Sequence, residues 1–437
     1  MTNAFIPATR FRWTIIVLLF LINTINYVDR SAISYAAHVI QSEFGLSSSH
    51  LGLVLGAFGI GYFLTTLPGG YLADRFGARI TFTIAVLFWS VAIGLSGAAT
   101  GFAMLYCARM ALGLAEGPSF PAHSRVLERW LPPHERSTAM GAALVAIPLA
   151  LAVGAPMATY VIVEFGWRIM FFGLAVLGML WLPAWLWLSS DSPETSRFVN
   201  DAELDFVNEG RKDTDAPANV SQVSGDDFWI LLRTPTLLAS YWSYFVFGYL
   251  IFFVMTWLPE FLRTTYHLDL KQIGWAAAVP WAAAAITLYS VGRLSDWLLV
   301  KTGTLRIART YPMALLHGLV ALAVLPLAFV DNFTLALICI SIAVSAGLGA
   351  NPIFYAVIAD IIPQRAGTCM GVMNSGFALA GFLAPVITGF ALDATGTFTV
   401  AFGLIAFFAA SSVIGLLVWH HPDASVVATN ITDGRAL

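Results

Sequence analysis

Apolar runs of about twenty residues, set apart by short polar breaks, fill the chain from end to end. A membrane-crossing helix needs about 20 mostly apolar residues, and the pattern predicts such spans at Trp13–His38, Leu51–Ala73, Ile80–Thr100, Phe102–Leu127, Ser137–Val163 and Ile169–Leu188. Six more follow at Thr236–Phe261, Ile273–Leu298, Thr310–Val330, Phe333–Ala359, Gly367–Leu392 and Phe398–Trp419. Between the two sets lies a polar, charged, proline-punctuated stretch that opens with Asp191-Ser192-Pro193-Glu194 and carries one short candidate surface helix, Asp201–Arg211. The first run follows Arg10 and Arg12 as a signal peptide would. It ends on no small-x-small cleavage site, however, and continues into Asn26-Tyr27-Val28-Asp29-Arg30, which predicts a first span instead. The fold expected is an all-α membrane protein of 12 transmembrane helices. Residues 1–188 form an N-terminal six-helix bundle, 189–235 a central linker, 236–419 a C-terminal six-helix bundle, and 420–437 a polar tail.

Composition agrees with this reading. Charged residues make up 11% of the 437 and hydrophobic ones 58%, whereas soluble domains carry roughly 25% charged residues. The net charge of −3 says little, because charge is sorted by side. If the N-terminus is inside, only Arg168, Arg263 and Lys271 of the 22 lysines and arginines fall outside, and Arg30 and Arg109 lie within spans. The excess of basic residues on one side predicts a multi-pass protein with both termini cytoplasmic. Cys107, Cys339 and Cys369 all lie in apolar segments, with no disulfide framework and no metal-ligand spacing.

The two halves repeat each other. Gly70-Tyr71-Leu72-Ala73-Asp74 recurs as Gly292-Arg293-Leu294-Ser295-Asp296, and Pro133, Thr138, Met140 and Gly141 recur as Pro363, Thr368, Met370 and Gly371. Repeated six-helix halves are a transporter signature: the site lies at their interface and the halves rock around it. The run Gly70 to Arg79, G-Y-L-A-D-R-F-G-A-R, resembles the loop 2–3 motif of the major facilitator superfamily, with its weaker echo at Gly292–Asp296. Three further runs resemble its anion:cation symporter branch, which includes bacterial sugar-acid carriers. They are Asn26–Arg30, the stretch from Arg109 through Glu116-Gly117-Pro118-Ser119-Phe120-Pro121-Ala122, and Thr256-Trp257-Leu258-Pro259.

The candidate chemistry lies where charge interrupts the apolar spans. A charge at mid-bilayer costs roughly 2.5–3.5 kcal/mol on insertion scales. Arg109 and Glu116 are two helical turns apart, about 10 Å along one face, and Asp29-Arg30 is the other such place. Arginine keeps its proton and binds carboxylates in a forked geometry, so Arg30 and Arg109 are the anion-binding or gating candidates. Burial and a neighbouring arginine act on a carboxyl in opposite directions, so Asp29 and Glu116 are the proton-coupling candidates. The resemblance implies the same division of roles. A purely structural alternative is two buried ion pairs between the first and fourth spans.

Tyr27 shares the face of the first span with these charges. Tyr62, on the second span, falls where sugar-acid members of the branch use tyrosine, and Asn374 matches a branch asparagine. Asn351 could line the cavity. These four are the substrate-binding candidates, and Asp74, Arg75 and Arg79 are candidate conformational latches. His123 and His317 are expected to be packed rather than proton carriers, and the aromatic run Tyr241–Phe245 reads as partly interfacial belt. Ile147 falls where the resemblance expects a substrate-binding glutamine, which makes that wall apolar.

The function expected is proton-coupled import of a small organic anion by alternating access, in the bacterial inner membrane. A sugar acid such as a hexonate, glucarate or hexuronate stands ahead of an aromatic or other non-sugar carboxylate. A drug/proton antiporter of the same fold fits less well, because two intramembrane arginines do not suit a cation. No catalytic constellation, cofactor, metal or nucleic-acid partner is implied. The expected partners are the anion, the coupling protons and the bilayer, and the expected unit is a monomer.

Overall fold

The computed structural model describes residues 8–208, 229, 231–362 and 365–423. Most of the linker, the tail from 424 onward, Pro363 of the repeat, and Arg211, Lys212 and Arg435 lie outside the described residues. Among the described residues every regular element is helical: α1 (Arg12–Phe44), α2 (Ser48–Phe76), α3 (Ala78–Gly97), α4 (Phe102–Glu116), α5 (Ser119–Trp130), α6 (Pro133–Phe165) and α7 (Trp167–Leu188), then α8 (Asp201–Asn208) in the linker, then α9 (Pro235–Tyr266), α10 (Leu270–Thr302), α11 (Tyr311–Val324), α12 (Phe333–Ile361), α13 (Ala366–Thr395) and α14 (Thr399–Trp419). Polar side chains start several of them. Ser47 accepts from the His50 amide, Asn332 from Leu335, and Asp269 forms a capping box with Gln272.

Eleven helices among the described residues are long and apolar enough to cross a membrane. The twelfth crossing is the span predicted as one helix at Phe102–Leu127, which the structure divides into α4 and α5. The break falls at Gly117-Pro118. Pro118 has no amide hydrogen to offer the preceding turn, and the Ser119 hydroxyl instead donates to the Glu116 carbonyl at 2.6 Å. Both breaking residues pack on α2: a side chain on Gly117 would collide with Thr65, and Gly69 abuts Pro118.

The halves meet mainly through α2 with α13 and α6 with α10, with α1 against α9 between them. The sequence repeat makes the first two interfaces equivalent. At the end remote from the termini, the Asp393 carboxylate of α13 accepts from the Ser48 and Ser49 amides of α2 at 2.9 and 2.8 Å. Its counterpart is the 2.9 Å ion pair from Lys271 of α10 to Glu164 of α6. Helix α9 is buried along nearly its whole length. This corrects the interfacial-belt reading of Tyr241–Phe245: Tyr244 is 3% exposed in the centre of the molecule, whereas Trp242 does face outward.

At the other end, α8 is fastened to the N-terminal half. The buried Glu203 accepts from the Phe11 and Arg12 amides at 2.8 and 3.0 Å and from the Thr9 hydroxyl at 2.5 Å. Arg12 bridges it to Glu135 at the start of α6, with ion-pair distances of 3.1 and 2.9 Å. Residues 209–211 of the predicted linker helix lie outside the described residues.

Candidate functional site

Glycine brings α2 and α4 together. A side chain on Gly113 would strike the Phe58 carbonyl and the Tyr62 amide, and one on Gly61 would strike the Met110 carbonyl and the Leu114 amide. Backbone therefore meets backbone, and small residues allow this approach in apolar surroundings. The close approach holds the aromatic face of α2 beside the charged face of α4, and α1 lays Arg30 between them.

Arg30 is buried and bonds Glu116 at 2.6 Å, Nε to Oε2. Its guanidinium carbon also lies 4.8 Å from the Tyr27 ring, 4.9 Å from Phe58 and 4.8 Å from Tyr62. A desolvated cation over an aromatic face gains about 2 kcal/mol or more. The ion pair is thus housed in a three-ring cage of which Tyr27 and Tyr62, both substrate-binding candidates, are two walls.

The second pair of charges is placed differently. Arg109 donates only to the Arg30 carbonyl, at 3.4 Å, and lies 5.6 Å from the Phe58 ring. Its Nε and Nη1 and both oxygens of Asp29 are buried without a hydrogen-bond partner in the protein. Of the two ion pairs in the structural alternative, only Arg30–Glu116 forms. Such unpartnered groups are rare in proteins and ask for an explanation.

The C-terminal half faces this cluster with neutral groups. The hydroxyls of Tyr244 on α9 and Tyr355 on α12 lie 2.9 Å apart, and Oδ1 of Asn374 on α13 is 3.5 and 3.3 Å from them; the two phenol protons serve the two shorter contacts, Tyr244 donating to Tyr355 and Tyr355 to Asn374. The Phe120 ring of α5 lies 6.2 Å from that of Tyr355, across the interface between the halves. Asn374 therefore joins a triad drawn from three helices. Asn351 is buried one turn before Tyr355 on α12 with its Oδ1 unpartnered, and no bond links it to the triad.

Sequence reasoning did not single out Phe58, Tyr244 or Tyr355. A usable signal existed for Tyr355, which follows Asn351 by four residues and so shares its helical face.

The remaining candidates lie apart from the cluster. Asp74 pairs with Arg125 at 3.4 Å and Arg75 donates to the Tyr71 hydroxyl at 2.8 Å. The Arg79 amide donates to Asp191 at 2.9 Å and its guanidinium to the Leu186 carbonyl at 2.5 Å. These contacts tie helix ends within the N-terminal half. His123 bonds Asn23 at 3.1 Å, and His317 bonds Ser412 at 2.7 Å. Both histidines are buried, as expected of packed side chains. Ile147 is half-buried and packs on the apolar core.

Residues 19–385 match the family model described as Major Facilitator Superfamily. The chain is 31% identical over 411 residues to the hexuronate transporter of Bacillus subtilis, covering 92% of this chain and 93% of the relative. It is also 31% identical over 380 residues to a Cupriavidus necator protein described as "Probable sulfoacetate transporter SauU", covering 86% of each. Among solved structures it resembles a D-xylose-proton symporter with TM-score 0.73 and 14% identity, over 93% of this chain and 97% of that one. At that identity the likeness speaks for the fold alone.

Proposed function

The chain belongs to the major facilitator superfamily, and on that premise we propose that it is a proton-coupled symporter importing a small organic carboxylate by alternating access. A sugar acid such as a hexuronate, glucarate or hexonate is the first choice of substrate. The observation that carries the reading is the caged Arg30–Glu116 pair beside the unbonded Asp29 and Arg109.

Removing one partner of a buried pair costs about 3–5 kcal/mol, because the other charge is left uncompensated. Protonating Glu116 with no anion present would strand Arg30 in its cage. Admitting an anion while Glu116 stays ionised would set two negative groups on one guanidinium. Taken singly both events are unfavourable, and together they restore charge balance. Proton and anion binding are thereby linked, and the linkage is reciprocal. Arg109, with two free donor nitrogens, supplies the second contact for a carboxylate. Asp29 offers a second proton acceptor beside it.

The 31% relative named for hexuronate supports the sugar acid. The equally similar relative named for sulfoacetate and the apolar Ile147 support the second reading, a carboxylate with fewer hydroxyls. The basic-residue bias supports cytoplasmic termini, and the bacterial relatives support insertion in a plasma membrane.

The test is uptake of labelled D-glucuronate into proteoliposomes with an imposed pH gradient, acid on the side from which uptake is measured. Accumulation above equilibrium that a protonophore collapses is expected. Glu116→Gln should abolish accumulation and keep counterflow exchange. Loss of both with binding retained would remove Glu116 from the coupling role, and transport confined to cationic or neutral compounds would overturn the anion reading.

A further inference from the structure

The Tyr244–Tyr355–Asn374 triad lies across the half interface from the charges. Tyr244 is 3% exposed and ringed by Phe247, Phe354 and Phe377, at centroid distances of 5.3, 5.2 and 5.6 Å. In that apolar setting its hydroxyl has two neighbours, the Tyr355 hydroxyl and the Asn374 amide oxygen. Hydroxyl rotors settle where the network satisfies them, so both tyrosine protons are committed inside the triad. The half-buried Asn374 keeps its NH2 group, which has two donors. With Oδ1 held by the tyrosines, those donors are directed away from them.

We propose that Tyr244 is a positioning residue. It fixes Asn374, jointly with Tyr355, as a donor subsite for an oxygen-bearing group on the end of the substrate remote from its carboxylate. This rests on the reading that Arg30 and Arg109 take the carboxylate. Two observations place the triad at the far end. Tyr355 of the triad faces the Phe120 ring of α5 at 6.2 Å across the half interface, and the Tyr27 and Tyr62 rings line the Arg30 cage. A ligand anchored at Arg30 therefore extends past them toward α9, α12 and α13. The triad draws one side chain from each of those helices, so its geometry reports their mutual packing as well as the ligand.

The experiment is a double-mutant cycle on the full chain in proteoliposomes, read as KM and Vmax for counterflow of whichever of D-glucuronate and D-galactonate the wild type carries better. Tyr244→Phe removes one hydroxyl and keeps the ring among its aromatic neighbours, and Asn374→Ala removes the donor. Each single variant is expected to raise KM about tenfold, the scale of one buried hydrogen bond, with Vmax within about twofold. The double variant is expected to match Asn374→Ala alone, because Tyr244 acts through Asn374. Additive effects, or a Tyr244→Phe loss carried by Vmax and thermal stability with KM unchanged, would make Tyr244 merely structural and overturn the proposal. A wild type that carries neither acid would instead overturn the sugar-acid reading beneath it, before any variant is made.

Discussion

Replacing Gly52 by alanine should wedge open the interface that closes the end remote from the termini. Gly52 lies on α2 where it crosses α13. A Cβ there would stand 2.6 Å from the Pro385 carbonyl oxygen and 3.2 Å from the Gly389 Cα, and ordinary contact begins at 3.4 Å. Both obstacles are helix backbone, so no side chain can swing aside and the helices themselves must part. Overpacking of this kind costs typically about 1–3 kcal/mol. Alanine also favours a helix over glycine by up to about 1 kcal/mol, but α2 is helical in either state, so that gain cancels from the conformational equilibrium. The cost falls only on the state with α2 against α13. One to three kcal/mol corresponds to a shift of roughly 5- to 150-fold in population. Separation would also stretch the cap that Asp393 places on the Ser48 and Ser49 amides.

The assay is double electron–electron resonance between spin labels at His50→Cys and Thr397→Cys, two exposed positions at that end, with Cys107, Cys339 and Cys369 replaced by serine. Gly52→Ala should broaden and lengthen the distance distribution. Gly70→Ala on the same helix is the control, because a Cβ there meets nothing within 4 Å. A folded Gly52→Ala variant with the parental distribution would refute the reasoning, as would an equal effect from Gly70→Ala.

Two further outcomes concern the end that carries the termini. Burial pushes the Glu203 carboxyl up, but hydrogen bonds from Thr9, the Arg12 and Phe11 amides and the Arg12 guanidinium outweigh it and hold the group below its ordinary value of 4.5. A depressed carboxyl stabilises the fold above its unfolded value and loses that contribution as pH falls through the folded one. Glu203→Gln should therefore lower the melting temperature at pH 7, by a loss of about 1–3 kcal/mol, and flatten its decline below about pH 4.5. A parallel decline in both proteins would show the bond to be idle. Gly77→Ala should destabilise by about 1–3 kcal/mol. Gly77 has φ +85°, and a Cβ would sit 2.5 Å from the Asp191 oxygen that caps α3 at Arg79. An unchanged denaturation profile would count against the strain.

Much of the architecture was legible because membrane helices announce themselves by composition. The span holding Arg109 and Glu116 was legible in the apolar pattern as well, but its break at Gly117-Pro118 was not, and it leaves α4 and α5 each too short to cross by itself. Its charges were legible as a motif, because charge in an apolar segment stands out. Which acid pairs with which arginine was not legible. Helical spacing places Asp29 and Arg30 within one turn, but the rotation of α1 against α4 decides that Glu116 reaches Arg30 while Asp29 stays unbonded.

Tyr244 and Tyr355 escaped notice for the opposite reason. Tyrosine in an apolar helix carries no contrast, and an aromatic run near the start of a span looks like a membrane-interface belt. Only the burial of α9 on all sides distinguishes the two. The partners of Asp74 and Arg79 were equally invisible, because Arg125 and Asp191 reach them only once α5 and α7 have packed.

The halves are alike in backbone and unlike in chemistry, and that asymmetry bears on how a ligand would be carried. The interfaces α2–α13 and α6–α10 are repeat-related, down to an acidic residue at the end of α13 and of α6 that reaches the start of the facing helix. A pair of such symmetric contacts holds either state without naming a substrate. The caged charge lies on α1 and α4, and the hydroxyl–amide triad lies on α9, α12 and α13. On the proposed mechanism, a bare carboxylate satisfies Arg30 and leaves the triad idle. It binds one half and exerts no preference between states, because a ligand shifts an equilibrium only by its differential affinity for the two. A ligand long enough to touch both halves strengthens the state in which they converge on it. A polar far end that reaches the triad would then lower KM, and short monocarboxylates should bind weakly and compete only at high concentration.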